Sequence, residues 1–147
     1  MKVFVAGASG ALDRRLVPVL VSAGHEVVGM TRSPEGAGVV RELDAEPVVA
    51  DGLDKAAVIQ AVTSAEPEVV IHEMTGLTDA KSFRKFDDEF ALTNRLRTEG
   101  LDHLLDAARA VALGVSSLRA SATGTTSASE ARRRPKTTRS TRTRPPA

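Results

Sequence analysis

Cysteine, tyrosine and tryptophan are all absent from this 147-residue chain. Without cysteine there is no disulfide framework, no thiolate metal site and no thiol nucleophile. An intracellular, cytoplasmic protein fits that best. Without tyrosine no phenol can serve as a catalytic acid or base. No apolar run approaches the roughly 18 residues that a membrane span needs, so no membrane partner is expected. The N-terminus does not read as a signal peptide, because Lys2 is followed by a short apolar run and then glycines. Acidic residues are also scarce in one region. Residues 115–147 carry 8 Lys/Arg and a single acid, Glu130, a net of +7, whereas residues 1–114 carry 12 Lys/Arg and 18 Asp/Glu, a net of −6. Such a split argues for two regions with different physical roles.

What is present is a regular alternation of apolar runs. KVFVA (2–6) is β-branched, apolar and ended by Gly7, which reads as a buried strand. From Ala11 to Ala23, Leu12, Leu16, Val17, Leu20 and Val21 recur at helical spacing, and Gly24 is a helix stop. Pro18 falls inside that helix and is expected to kink it or repack its second turn. EVVGMT (26–31) is a second strand. SPEGAG (33–38) is turn-rich, with a short helix through Leu43 to follow. EPVVAD (46–51) is a third strand, and Asp54 caps a helix to about Ala65. EVVIHE (68–73) is a fourth strand. A long helix is expected from about Asp87 to Ala110, its stripe made by Phe90, Leu92, Leu96, Leu101, Leu104 and Leu105. VALGVSSLRAS (111–121) could supply a weak fifth strand. Strands alternating with helices imply βαβ units and a parallel sheet covered on both faces. The expected fold is therefore α/β: a partial doubly wound, Rossmann-like parallel sheet of four to five strands. Residues 122–147 contain no Leu, Ile, Val, Met or aromatic residue. They cannot bury enough apolar surface to offset ordering, so a disordered tail is expected after residue 114.

The junction VAGASGALDRRL carries the chemistry. A strand that ends in glycine and opens a helix presents free N–H groups and the positive helix end to an anion. Gly7 allows the tight turn, and Gly10 lets the backbone approach a pyrophosphate. An ordinary glycine-rich turn is the plainer alternative.

Four segments together resemble the extended short-chain dehydrogenase/reductases, the NAD(P)-dependent epimerase/dehydratase family. VAGASGAL is similar to that family's glycine motif, and VVADGLD (48–54) to its segment beside the adenine ring. VVIHEMT (69–75) is similar to its fourth strand. ALTNRLRTEGLDHLLDAARA (91–110) is similar to its long helix, in which an Asn, a Gly and a Leu-Leu pair recur. The resemblance covers roughly residues 1–112 and says little about substrate. It implies that Gly7, Ser9, Gly10, Ala11 and Leu12 line the pyrophosphate. Asp51 and Gly52 would sit by the adenine, with Asp51 accepting from its amino group and Leu53 packing on the ring. Glu73 and Met74 would border the ribose, and Asn94 would brace the loop after the fourth strand. Asp51 could instead merely start a turn, and Asn94 could be a solvated helix residue.

Cofactor choice follows from charge. An NAD site usually carries an acid about 20 residues beyond the glycines. Here the second strand ends GMTRS, and Arg32 is placed to meet a 2′-phosphate. NADP is expected over NAD, unless Arg32 is only a surface charge.

Asp13 departs from the motif, whose third glycine is due at that position. Its charge suits the helix N-terminus of the empty protein, by about 0.3–1 kcal/mol. Beside a pyrophosphate it repels, by roughly 1–4 kcal/mol at about 4 Å. Arg14 and Arg15 offset part of this. Weakened but not abolished binding is expected.

The resemblance also implies a catalytic Tyr followed four residues later by Lys, with a Ser or Thr positioning substrate. This chain has no Tyr, and no catalytic residue is assigned. His25, His72 and His103 lack metal-ligand spacing. His72-Glu73 could act as an acid/base pair but reads better as a satisfied strand end. Asp87-Asp88-Glu89 reads as acids favoured at a helix start rather than a metal site.

The Arg/Thr/Ser/Pro tail has two readings. One is a change of reading frame near residue 112. TTRSTRTRPP (137–146) can be back-translated so that a neighbouring frame gives an acidic, proline-rich string similar to the family's loop beyond its catalytic region. The gene sequence decides this: without an open family-like continuation in another frame, the idea fails. The other reading is a true basic tail. RRRPK (132–136) could neutralise nucleic-acid phosphates nonspecifically, but specific binding is not expected without a folded reader or aromatic platforms. The expected function is the NAD(P)-binding portion of an epimerase/dehydratase-like oxidoreductase, catalytically incomplete, acting on a sugar-nucleotide or other small carbonyl or hydroxyl substrate. A noncatalytic dinucleotide-sensing module is the alternative.

Overall fold

A computed structural model describes residues 1–77, 86–111 and 118–120 of the chain. Five parallel strands lie in the order β3-β2-β1-β4-β5, with β1 (Lys2–Ala6) at the centre. β2 (Glu26–Thr31) and β4 (Val69–His72) flank β1, and β3 (Glu46–Val49) is the outer neighbour of β2. β5 (Leu118–Ala120) pairs with β4, within the stretch where a weak fifth strand was expected. Sheet pairing therefore continues past residue 114. The remaining residues of the expected tail, and the Arg/Thr/Ser/Pro stretch with them, lie outside the described residues.

Alternation along β1 builds two cores. Phe4 faces a cluster with Val58, Val62, Val70, Leu104 and Ala107, from helices α3 (Lys55–Ala65) and α5 (Leu101–Ala110) and strand β4. Val3 and Val5 face the other way, onto Val17 of α1 (Asp13–Ser22) and Val40 of α2 (Pro34–Glu42). Successive side chains of a strand point to opposite faces, so one apolar run supplies both layers.

The Asp54 cap follows the sequence, whereas α2 begins at Pro34, inside the stretch 33–38 expected to be a turn. Ser33 accepts a hydrogen bond from the Gly36 amide at 3.2 Å, with Pro34 following it at the first helical position. Asp54 accepts from the Ala57 amide at 3.1 Å. Two further expectations change. α1 begins at Asp13 rather than Ala11, with Pro18 inside it. The long helix is divided into α4 (Phe86–Arg95), a wider π-helical turn (Leu96–Gly100) and α5. Periodicity cannot show such a turn, because it adds one residue without removing the apolar stripe.

Candidate dinucleotide cleft

The carboxyl ends of β1, β2 and β4 open onto one cleft of about 820 Å³. In a doubly wound sheet this crevice is where ligands bind. Its floor is the β1–α1 turn. Gly7 has φ +101°, a backbone conformation that L side chains rarely adopt. A Cβ there would also lie 2.8 Å from the Glu73 carbonyl carbon and oxygen. The turn is tied down from beneath, since the Gly7 and Ala8 amides both donate to the Met30 carbonyl, at 2.9 and 3.0 Å. The amides of Ser9, Ala11 and Leu12 find no backbone acceptor among the described residues. They are the donors a helix N-terminus offers to an anion. The Ser9 and Thr31 hydroxyls lie 3.0 Å apart and join this loop to the end of β2.

Arg32 follows Thr31 at one side of the cleft, beside the capped start of α2. After the neighbouring strand β3, Asp51, Gly52 and Leu53 form a tight turn in which the Asp51 carboxylate accepts from the Leu53 amide at 2.9 Å. That bond uses Oδ1, so both roles weighed for Asp51 are compatible. Gly52 is pressed against Met74: an added Cβ would overlap Sδ and lie 3.1 Å from Leu96 Cδ2. The Gly52 carbonyl accepts from His103 Nδ1 at 3.0 Å.

His72 occupies the end of β4 and is buried. Its Nδ1 accepts from the Met74 amide at 3.1 Å, which leaves Nε2 as the donor to the Leu96 carbonyl, also at 3.1 Å. Burial lowers its pKa and keeps it neutral. With both nitrogens engaged, His72 shapes the cleft wall rather than exchanging protons in it. Glu73 lines the cleft, and burial raises its pKa.

Ten of the residues singled out in the sequence surround this cleft: Gly7, Ser9, Gly10, Ala11, Arg32, Asp51, Gly52, Leu53, Glu73 and Met74. Leu12 and Asn94 stand outside it. The Leu12 side chain is 71% exposed, leaving its backbone amide as its contribution to the loop. Asn94 is exposed on α4, and the bracing expected of it is made by its neighbour. Thr93 is buried, and its hydroxyl accepts from the Gly76 amide at 3.0 Å, beyond β4. Leu77, Leu92 and Leu96 also line the cleft. Their helical spacing or loop position marked them only as apolar. Among the described residues no group of three or more His, Cys, Asp or Glu could hold a metal ion. No helix among them is long and apolar enough to cross a membrane.

The sequence model of the NAD dependent epimerase/dehydratase family matches residues 3–147. The chain belongs to that family. It is 45% identical over 111 residues to a 3-diazoavenalumate denitrifying reductase of Streptomyces sp, across 75% of this chain and 34% of the reductase. The NADPH complex of yeast methylglyoxal/isovaleraldehyde reductase Gre2 has the same fold, with TM-score 0.61 and 19% identity, over 76% of this chain and 34% of that one. So does the NAD+ complex of Bordetella bronchiseptica WbmH, with TM-score 0.56 and 24% identity, over 77% of this chain and 36% of that one. The chain thus spans about a third of the length of these proteins.

Proposed function

We propose that this chain is the dinucleotide-binding portion of an NADP-dependent reductase of the epimerase/dehydratase family. The observation that carries this reading is the β1–α1 turn, where Ser9 and Ala11, whose amides have no backbone acceptor among the described residues, line a cleft that also holds Arg32 and Asp51. The pyrophosphate would rest on those amides. The adenine would lie between Leu53, Met74 and Leu96, and Arg32 would meet the 2′-phosphate. Bound nicotinamide would supply hydride chemistry, and the chain's own contribution is to bind and orient it. Names of relatives point to reduction of a small substrate without choosing one. On this reading the binding unit, expected from the sequence to be residues 1–114, extends through β5, and the Arg/Thr/Ser/Pro stretch that follows in the sequence is a separate basic segment.

The 147 residues hold no tyrosine. Turnover by this chain alone is therefore not expected. That observation also favours a second reading, a noncatalytic module that senses dinucleotide. Calorimetric titration with NADPH and NADH tests the first step. Saturable binding with NADPH the tighter supports the reading, and no binding of either overturns it. Hydride transfer by the chain alone to a carbonyl substrate would overturn the expectation of incomplete catalysis and the sensor reading with it.

A further inference from the structure

Asp13 lies where the structure has least room for a charge. It is the first residue of α1, directly after the amides of the phosphate loop, and its side chain is 1% exposed. Oδ1 has no hydrogen-bond partner. Oδ2 packs beneath the loop, 2.9 Å from the point where a Cβ on Gly10 would be. The carboxyl does not line the cleft. It sits under the turn that would carry the pyrophosphate, where solvent has little access to it.

The charges around it do not neutralise it. Glu73, at the end of β4, adds a second negative charge from the sheet side. Arg14 and Arg15, from its own helix, and Arg32, beyond β2, face the cleft. Asp51 is the remaining acid on that rim. No ion pair joins Asp13 to any of these among the described residues. Burial, with Glu73 second, raises the Asp13 pKa to about 7.

We propose that Asp13 is a determinant of pyrophosphate affinity, and that docking of a dinucleotide on the Ser9–Leu12 amides is coupled to uptake of one proton by this carboxyl. The inference rests on the dinucleotide reading above. A pyrophosphate on the loop places negative charge against a buried carboxylate a few ångströms away. The carboxyl relieves that repulsion by taking a proton from solvent, and no bond other than its O–H forms. Binding is then tightest when Asp13 is already protonated, and weakens as pH rises and the proton must be drawn from a scarcer supply.

Titration calorimetry of NADP+ in two buffers of different ionisation enthalpy, at pH 7.0, 7.75 and 8.5, measures the protons taken up. Above pH 7 the 2′-phosphate, with a second pKa near ~6, is already largely ionised and contributes little. NAD+, which lacks that group, serves as the control. Uptake of a substantial fraction of a proton per dinucleotide is expected at pH 7.75 and 8.5, with affinity falling by at most about tenfold per pH unit. Asp13→Asn is expected to abolish both the uptake and the pH dependence. Binding without uptake, or uptake that persists in Asp13→Asn, overturns the inference and leaves the dinucleotide reading standing. No binding of either nucleotide overturns both. Should Asp13→Asn fail to fold, carboxyl-carbon NMR of the unsubstituted protein replaces it. The Asp13 titration midpoint is expected to rise when NAD+ saturates the cleft, and an unmoved midpoint overturns the inference.

Discussion

His72 Nε2 donates to the Leu96 carbonyl at 3.1 Å, fastening the end of β4 to the first residue of the π-helical turn. The same ring accepts from the Met74 amide, so one buried imidazole fixes two segments that line the cleft. The wide turn brings Leu96 and Gly100 against Gly52 and Met74. A Cβ on Gly100 would lie 3.0 Å from Met74 Cε. Helix, strand end and adenine-side turn therefore meet at one place, and His72 holds them there.

This arrangement predicts an acid-sensitive contribution to stability. The His72 pKa is lowered from 6.5 by burial. Above pH 6.5 folded and unfolded chains are both neutral at this residue, and its bonds count in full. Below pH 6.5 the unfolded chain takes up a proton that the folded one refuses, so stability is lost as pH falls toward the depressed folded value. His72→Gln is expected to cost about 1–3 kcal/mol at pH 7.5, since it leaves a buried amide or carbonyl without its partner. It is also expected to lose less on going to pH 5 than the unsubstituted protein does. Thermal unfolding of both proteins at the two pH values checks this, and equal losses would assign the acid sensitivity to another group.

Asp13 predicts the opposite slope. Its pKa is raised from 3.8 to about 7, so the folded state favours the protonated carboxyl. The stabilising preference is fully present below pH 3.8 and is lost as pH rises through about 7. Asp13→Ala removes a buried carboxyl whose Oδ1 has no partner and places a good helix former at the start of α1. We expect about 1–3 kcal/mol of added stability at pH 8 and much less at pH 4.5. Denaturant titration at both pH values measures the difference. A destabilised variant at pH 8 would mean that the carboxyl fills needed volume.

How far the sequence announced these features depends on the kind of force involved. The strands of the sheet's main body were legible because buried parallel strands read as short apolar runs. The glycine turn was legible because only certain residues tolerate its backbone at Gly7. What stayed hidden was contact made across the fold. Nothing near Thr93 in the chain marks it as the partner of Gly76, and its neighbour Asn94 is the better-known polar type at such a place. Leu96 reads as one more apolar residue of a helical stripe until His72 takes its carbonyl. Asp13 was visible as a departure from the glycine pattern. Its position beneath the loop, rather than beside the ligand, needed the packing of α1 on the sheet.

Arg32 predicts cofactor preference. It is a cleft-lining cation immediately after Thr31, next to the Ser33 cap of α2. If it meets the 2′-phosphate, Arg32→Ala should weaken NADPH binding by about tenfold or more, the value of one charge-assisted contact of roughly 1.5–3 kcal/mol. NADH binding should change less than twofold. Parallel titrations of the two nucleotides decide it, and an equal loss for both would make Arg32 a general contributor to the cleft's charge.

Gly52 predicts a packing limit on the adenine side. A Cβ added there meets Met74 Sδ, with Met74 Cε at 3.2 Å and Leu96 Cδ2 at 3.1 Å. Methionine is flexible, so Met74 can swing aside, but only by moving the wall against which Leu53 and Leu96 face each other. Gly52→Ala is therefore expected to cost about 1–2 kcal/mol in stability. That corresponds to a fall of several degrees in Tm for a domain of this size. The displaced wall should weaken binding of AMP, which reports the adenine side alone, by a larger factor than binding of inorganic pyrophosphate, which reports the loop. If AMP and pyrophosphate affinities both stay unchanged while Tm falls, Gly52 serves folding only, and the adenine wall lies elsewhere in the cleft.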